Sequence, residues 1–349
     1  MSNISLIDSN FKVETQIKEP DVRFYNVLQV PFRVYGVFYE SGKFRRIPEH
    51  IAKTVSDGVY RIHANTAGGR VRFKTNSSYI AIHAKMPSIG KMPHFALTGS
   101  AGFDLYVHDD AVRYVQTFVP PFAIKDGYES VIHFGSSQMR ELTINFPLYS
   151  EVSELYIGLC DSAAVYEPPP YKTETPIVYY GSSITQGGCA SRPGNSYESI
   201  ISRRLDCDYI NLGFSGNARA EDEIAEYIRD LNMSVFVFDY DYNAPTVEHL
   251  EKTHQKMFRE IRAKNPTLPI VLMSRPKYCL TDEEKQRLSI IKKTYDDAKS
   301  AGDENVYLLD GSALMELAKN EGTVDGCHPN DLGFASMAKA LGDLLERIV

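Results

Sequence analysis

A serine, a histidine and an aspartate in this chain are of the types that together can break and re-form an ester. Ser183 lies in Tyr179-Tyr180-Gly181-Ser182-Ser183-Ile184-Thr185, where an apolar run from Pro176 stops at a glycine and a pair of serines. Asp325-Gly326-Cys327-His328-Pro329 lies near the C-terminus. A hydroxyl on a strand-to-loop turn supplies a nucleophile, and an Asp-x-x-His supplies a base and the group that orients it, which suffices for acyl transfer. Taken alone, Gly-Ser-Ser is a common loop sequence. It also departs from the G-x-S-x-G elbow, because position 185 is Thr.

Those residues need elements to hold them. Ile177–Tyr180, Tyr209–Leu212, Val235–Phe238, Ile270–Met273 and Val306–Leu309 read as buried strands. Helical patterns separate them. One repeats Val247, Leu250, Met257 and Ile261; one opens on a capping box, Thr281-x-x-Glu284, and stops at Gly302; the last runs through Phe334, Met337, Leu341 and Leu345. Such alternation predicts a parallel sheet covered on both faces, with ligands beyond the carboxyl ends of its strands. Ser183 and Asn243 both fall just past such ends.

The first half reads differently. Val71–Thr75, Tyr79–Met86, Phe103–His108, Tyr114–Phe118, Ser130–Phe134, Glu141–Phe146 and Leu155–Cys160 are short β-rich runs set off by Asp57-Gly58, Gly68-Gly69, Asn76-Ser77-Ser78 and Asp126-Gly127. They predict a sandwich or jelly roll. Pro168-Pro169-Pro170 suits neither a helix interior nor a central strand. The expected division is a β domain over residues 1–165, a Pro-rich linker over 166–175 and an α/β/α domain over 176–349.

Length and composition agree. At 349 residues the chain exceeds one ordinary core, and 43% hydrophobic with 24% charged residues is a globular balance. A net charge of −7, with no basic run interleaved with aromatics, argues against nucleic acid as a partner. No apolar stretch is long enough for a membrane span. The polar segment over residues 1–20 lacks the features of a secretory signal, so a cytoplasmic location is expected. The five scattered cysteines, Cys160, Cys189, Cys207, Cys279 and Cys327, support neither a disulfide framework nor a zinc site. Asp239-x-Asp241-x-Asn243 opens like a calcium loop but carries Ala244 and Leu250 where that loop needs Gly and Glu. No metal and no cofactor are expected, and a homo-oligomer is left open.

Four blocks in order carry a resemblance. Gly181-Ser182-Ser183-Ile184-Thr185 resembles the Gly-Asp-Ser-Leu block of the SGNH/GDSL hydrolases, with Ser182 in place of Asp. Asn211-Leu212-Gly213-Phe214-Ser215-Gly216 is similar to their second block and Phe238-Asp239-Tyr240-Asp241-Tyr242-Asn243 to their third, where Tyr242 replaces Gly and Ala244 replaces Asp. Asp325-x-x-His328 matches the fifth. Gly102-Phe103-Asp104-Leu105-Tyr106 resembles the G-x-D-L-Y element of a β-rich domain ahead of some of these hydrolases, and Thr185–Pro193 is similar to the same subgroup.

The resemblance implies Ser183 as nucleophile, His328 as base and Asp325 as its orienter. It implies an oxyanion hole from the backbone N–H groups of Ser183 and Gly216 and the amide of Asn243. Ser182, Arg192 and Tyr242 are candidate substrate contacts. A short acyl ester, acetyl on a sugar or polyol, is the implied substrate. Acyl transfer to another alcohol, lipid ester hydrolysis and glycan binding without catalysis are the alternatives. No tryptophan is present, which weighs slightly against a dedicated sugar-stacking platform in the first half.

Overall fold

The computed structural model describes residues 15–349. The expected absence of a signal segment therefore falls largely on residues outside those described. The fold is mixed α/β, with an antiparallel β-rich first half and a parallel sheet in the second. In the first half, one sheet orders Val22–Asn26, Glu154–Cys160, Tyr79–Lys85 and Gly127–His133. The other orders Val165–Tyr166, Arg70–Thr75, Arg140–Asn145, Phe103–His108 and Val112–Phe118, with Arg33–Tyr35 also on Arg70–Thr75. Alternation of side chains along each strand puts Val71, Phe73, Ile80, Ile82, Leu105, Leu142, Ile144 and Ile157 into one shared core.

The second half orders its strands Cys207–Gly213, Thr173–Gly181, Val235–Asp239, Ile270–Met273 and Val306–Leu309, all parallel. Thr173–Gly181 therefore has its two sequence successors on opposite sides, which opens a crevice at its carboxyl end. The helix Val247–Lys264 buries Leu250, Met257 and Ile261 on one face of the sheet, and Asp331–Leu345 buries Phe334, Met337, Leu341 and Leu345 on the other. The capping box forms: Thr281 Oγ1 accepts the Glu284 N–H, and the Glu284 carboxylate accepts the Thr281 N–H at 2.8 Å. Among the described residues no helix is long and apolar enough to cross a membrane.

The division along the chain is less sharp than composition suggests. Tyr166 belongs to a strand of the first half and Thr173 opens a strand of the second, so the extended segment between named strands is 167–172. Two short helices, Glu49–Val55 and Asp57–Ile62, lie early in the chain, yet Ile47, Ala52, Val55 and Val59 pack in the core with Val178, Leu212 and Ile224. Helices of 7 and 6 residues show no sustained period, so no pattern announces them.

Buried arginines tie the halves together. The Arg46 guanidinium, 2% exposed, donates to the carbonyls of Asn65, Ile62 and Gly213 and lies over the Phe214 ring. Burial pulls its pKa down to about 9. Arg70 donates to Tyr171 Oη at 2.8 Å, to the Tyr209 carbonyl and to Asp208, with its guanidinium 4.0 Å from the Tyr209 ring centre. A planar, always-charged fork suits such multi-acceptor sites.

Candidate active site

The turn after Thr173–Gly181 is forced by close approach. A Cβ on Gly181 would meet the Asp239 carbonyl oxygen at 2.2 Å and Thr185 Oγ1 at 2.1 Å. Only glycine lets the chain leave the sheet there. Ser182 is 1% exposed, and its hydroxyl oxygen accepts the Ile184 N–H at 3.1 Å. It shapes the turn instead of facing a ligand, which corrects its expected role as a substrate contact.

Ser183 Oγ lies 2.9 Å from His328 Nε2, and His328 Nδ1 lies 2.7 Å from Asp325 Oδ2. The other carboxylate oxygen of Asp325 accepts the N–H groups of Cys327 and His328 at 3.0 and 2.7 Å. This is a side-chain-closed turn, completed by Gly326 at φ +83° and by the N–H of Val324 donating to the His328 carbonyl. Asn330 then caps the last helix, accepting the Gly333 N–H at 3.0 Å. Burial pushes the Asp325 carboxyl up, but its bonds from His328 and Cys327 outweigh that and hold it down to about 2.

Such an array can pass the Ser183 proton to imidazole while the carboxylate fixes the tautomer. The pH dependence follows. A histidine acts as base only in its neutral form, so the hydrolysis rate should fall on acidification. Asp325, with its depressed pKa, stays ionised throughout that fall. A rate profile with a single acid limb is the expected measurement.

Two backbone N–H groups in this region have no acceptor among the described residues. Neither the Ser183 N–H nor the Gly216 N–H donates to another protein atom among the described residues. Gly216, at φ +71°, is exposed on a loop whose Phe214 N–H donates to the Gly181 carbonyl at 2.8 Å. Ser215 N–H donates to the buried Gln186 Oε1 at 3.0 Å. Asn243 Nδ2 donates to the Phe214 carbonyl at 2.9 Å, which fastens Asn243 to that same loop and leaves its second amide hydrogen available.

The other expected contacts fall differently. Arg192 donates to Asp104 Oδ2 at 3.0 Å and to Tyr106 Oη, and its guanidinium sits 3.9 Å from the Tyr114 ring centre. Its charge is taken up by the first half, which makes it a clasp between the halves. Tyr242 is half-buried, with the Arg275 guanidinium 4.6 Å from its ring centre. Arg275 is itself paired to the buried Asp241 at 3.0 Å.

Three residues went unforeseen. Tyr149 Oη, from the first half, donates to the Ser183 carbonyl at 3.0 Å. His94, also from the first half, is exposed with its ring centre 5.3 Å from that of His328. Asp239 lies fully buried beneath the turn, accepting Thr185 Oγ1 at 3.1 Å and Tyr197 Oη at 3.4 Å. Only Asp239 had a sequence signal, a lone acid closing an apolar strand. Burial, partly offset by the Thr185 bond, pushes its pKa from 3.8 up to about 8.

The sign of the resulting effect is definite. Between those two values the folded state keeps a proton that the unfolded chain releases. Stability therefore falls as pH rises through that window. Asp239→Asn should flatten this dependence, which thermal melts across the window would read.

The comparisons agree with this layout. Residues 174–346 match the model of the GDSL-like Lipase/Acylhydrolase family, and residues 22–165 match that of the GxDLY N-terminus of SGNH-type esterases. No curated protein matches in sequence. Among solved structures, a GDSL-like lipase from Bacteroides ovatus ATCC 8483 is similar at 27% identity and a TM-score of 0.84, over 94% of this chain and 98% of that one. The salicylyl-acyltransferase SsfX3 from a tetracycline biosynthetic pathway shares the fold at 19% identity and a TM-score of 0.75, over 95% and 98%. A family two carbohydrate esterase from Cellvibrio japonicus does so at 12% and 0.60, over 94% and 98%. The chain thus belongs to the SGNH esterases, a GDSL-like lipase/acylhydrolase domain preceded by a GxDLY N-terminal domain.

Proposed function

We propose that the protein hydrolyses short-chain acyl esters, acetyl foremost, on carbohydrate oxygens through an acyl-Ser183 intermediate. The observation that carries this is the continuous Ser183–His328–Asp325 hydrogen-bonded array, supported by Ser183 and Gly216 N–H groups that have no acceptor among the described residues. Ser183 Oγ attacks the ester carbonyl as His328 takes its proton. The N–H groups of Ser183 and Gly216, with the free amide hydrogen of Asn243, hold the oxyanion. His328 then returns the proton to the leaving alcohol, and water repeats the sequence to free the acid.

Tyr149 and Tyr242 bring aromatic surface to the site, which suits a compact acyl group and a sugar ring. The fold shared with family two carbohydrate esterases supports the carbohydrate part, and one such structure, from Clostridium thermocellum, holds cellohexaose. In a cytoplasmic setting the substrates would be short, imported oligosaccharides. A chain-length series of p-nitrophenyl esters, followed by acetylated xylo- and cello-oligosaccharides, tests this. Acetate release should exceed that of longer acids, and preference for octanoate over acetate would overturn it. Running the series with a competing alcohol separates hydrolysis from acyl transfer, the alternative raised by the fold shared with the salicylyl-acyltransferase.

A further inference from the structure

Beside the catalytic base stand two ligand-type side chains for which ester hydrolysis has no use. The donor atoms of His94, Cys189 and His328 all lie within 4.8 Å of one another. They come from three separate segments, so no metal-ligand spacing exists along the sequence. A bound zinc ion holds nitrogen at about 2.0–2.1 Å and sulfur at about 2.3 Å, so neighbouring donors of a tetrahedral site sit roughly 3.5 Å apart. Closing the present gap takes a shift of about 1 Å. The exposed His94 can make it by side-chain rotation.

Two further features favour a metal. His328 Nδ1 is already bonded to Asp325 at 2.7 Å, so Nε2, now 2.9 Å from Ser183 Oγ, is the nitrogen a metal would take. A carboxylate on the far nitrogen is the arrangement that orients histidines bound to zinc. Cys189 sits at φ +76°, directly after Gly187 and Gly188. A side chain in the left-handed region costs on the order of 1 kcal/mol relative to glycine. The thiol, 7% exposed, is held at the site's edge despite that cost.

We propose that His94, Cys189 and His328 form an inhibitory site for a soft divalent cation, zinc foremost, which switches the enzyme off by capturing its base. This rests on His328 acting as that base. On binding, the Cys189 S–H bond breaks, its proton leaves to solvent and a sulfur–metal bond forms. His328 Nε2 exchanges its hydrogen bond with Ser183 for a metal bond, and water completes the coordination. Hard cations gain nothing from one sulfur and two nitrogens.

The test uses the full chain. Micromolar zinc chloride should slow p-nitrophenyl acetate hydrolysis by about tenfold or more, EDTA should restore the rate, and magnesium or calcium should leave it unchanged. His94→Ala and Cys189→Ser should keep the metal-free rate within about twofold and need roughly tenfold more zinc for equal inhibition. Titration with cobalt(II) should raise a thiolate-to-cobalt absorption band that Cys189→Ser abolishes. That band does not depend on esterase activity, so its presence in a protein inactive on esters would uphold the site and sink the functional reading alone. Equal zinc sensitivity in all three proteins, or no cobalt band in the parent, overturns the proposal.

Discussion

Ser183→Ala should lower acetyl-ester hydrolysis by about 10⁴–10⁶-fold while leaving the melting temperature nearly unchanged. The hydroxyl makes one side-chain contact, to His328, and the turn that carries it is fixed by other groups. Gly181, the Ser182–Ile184 bond and the bonds of Thr185 and Tyr197 to Asp239 all remain in the variant. Residual rate in the variant measures the oxyanion donors and binding alone. Retained turnover near the parent rate would assign the chemistry to another nucleophile. Acyl-enzyme trapping by mass spectrometry, with the adduct on the peptide containing Ser183, is the companion measurement.

Asp104→Ala should have the largest effect on stability, about 3–5 kcal/mol, because it leaves buried partners without their counter-charge. Asp104 is fully buried and accepts Asn145 Nδ2 at 2.8 Å, Arg192 Nη1 at 3.0 Å and the Gly194 N–H at 2.8 Å. Arg192 and Gly194 belong to the second half, and their loop continues directly from the nucleophile's turn. A Cβ on Gly194 would meet the Asp104 carboxylate at 2.7 Å, so the clasp is also tight sterically. Denaturant unfolding should show the loss, and kcat should fall as the 191–195 loop loosens. Asp104→Asn, which keeps an acceptor, should recover part of both. Unchanged stability in Asp104→Ala would show that the other contacts between the halves, those of Arg46, Arg70 and Tyr149 among them, suffice without the clasp.

Several second-half elements were legible because each shows its period. Ile177–Tyr180 is a continuous apolar run ending in glycine, as a strand buried on both faces requires. Val247, Leu250, Met257 and Ile261 recur as one helical stripe. Asp325-x-x-His328 could be read as a unit because its carboxylate and imidazole meet within one local turn. The protein partners of Ser182 and Arg192 were not legible, for a common reason. Their residue types suit a ligand, but a hydroxyl on a turn and a guanidinium near a buried carboxylate are claimed first by the protein. Which partner claims them is set by backbone placement.

The sequence by itself determined a β-rich half, a parallel α/β half, a serine where the chain leaves the sheet, and an Asp-x-x-His turn ahead of the last helix. These are consequences of local periodicity and turn chemistry, which act over a few residues. Only the tertiary structure decided that Tyr149 and His94 reach the site, that Arg192 clasps Asp104 across 88 residues, and that residues 47–62 pack into the second core. Those contacts depend on how two preformed surfaces dock. The free energy of docking is spread over side chains distant in sequence, with no period along the chain to record it.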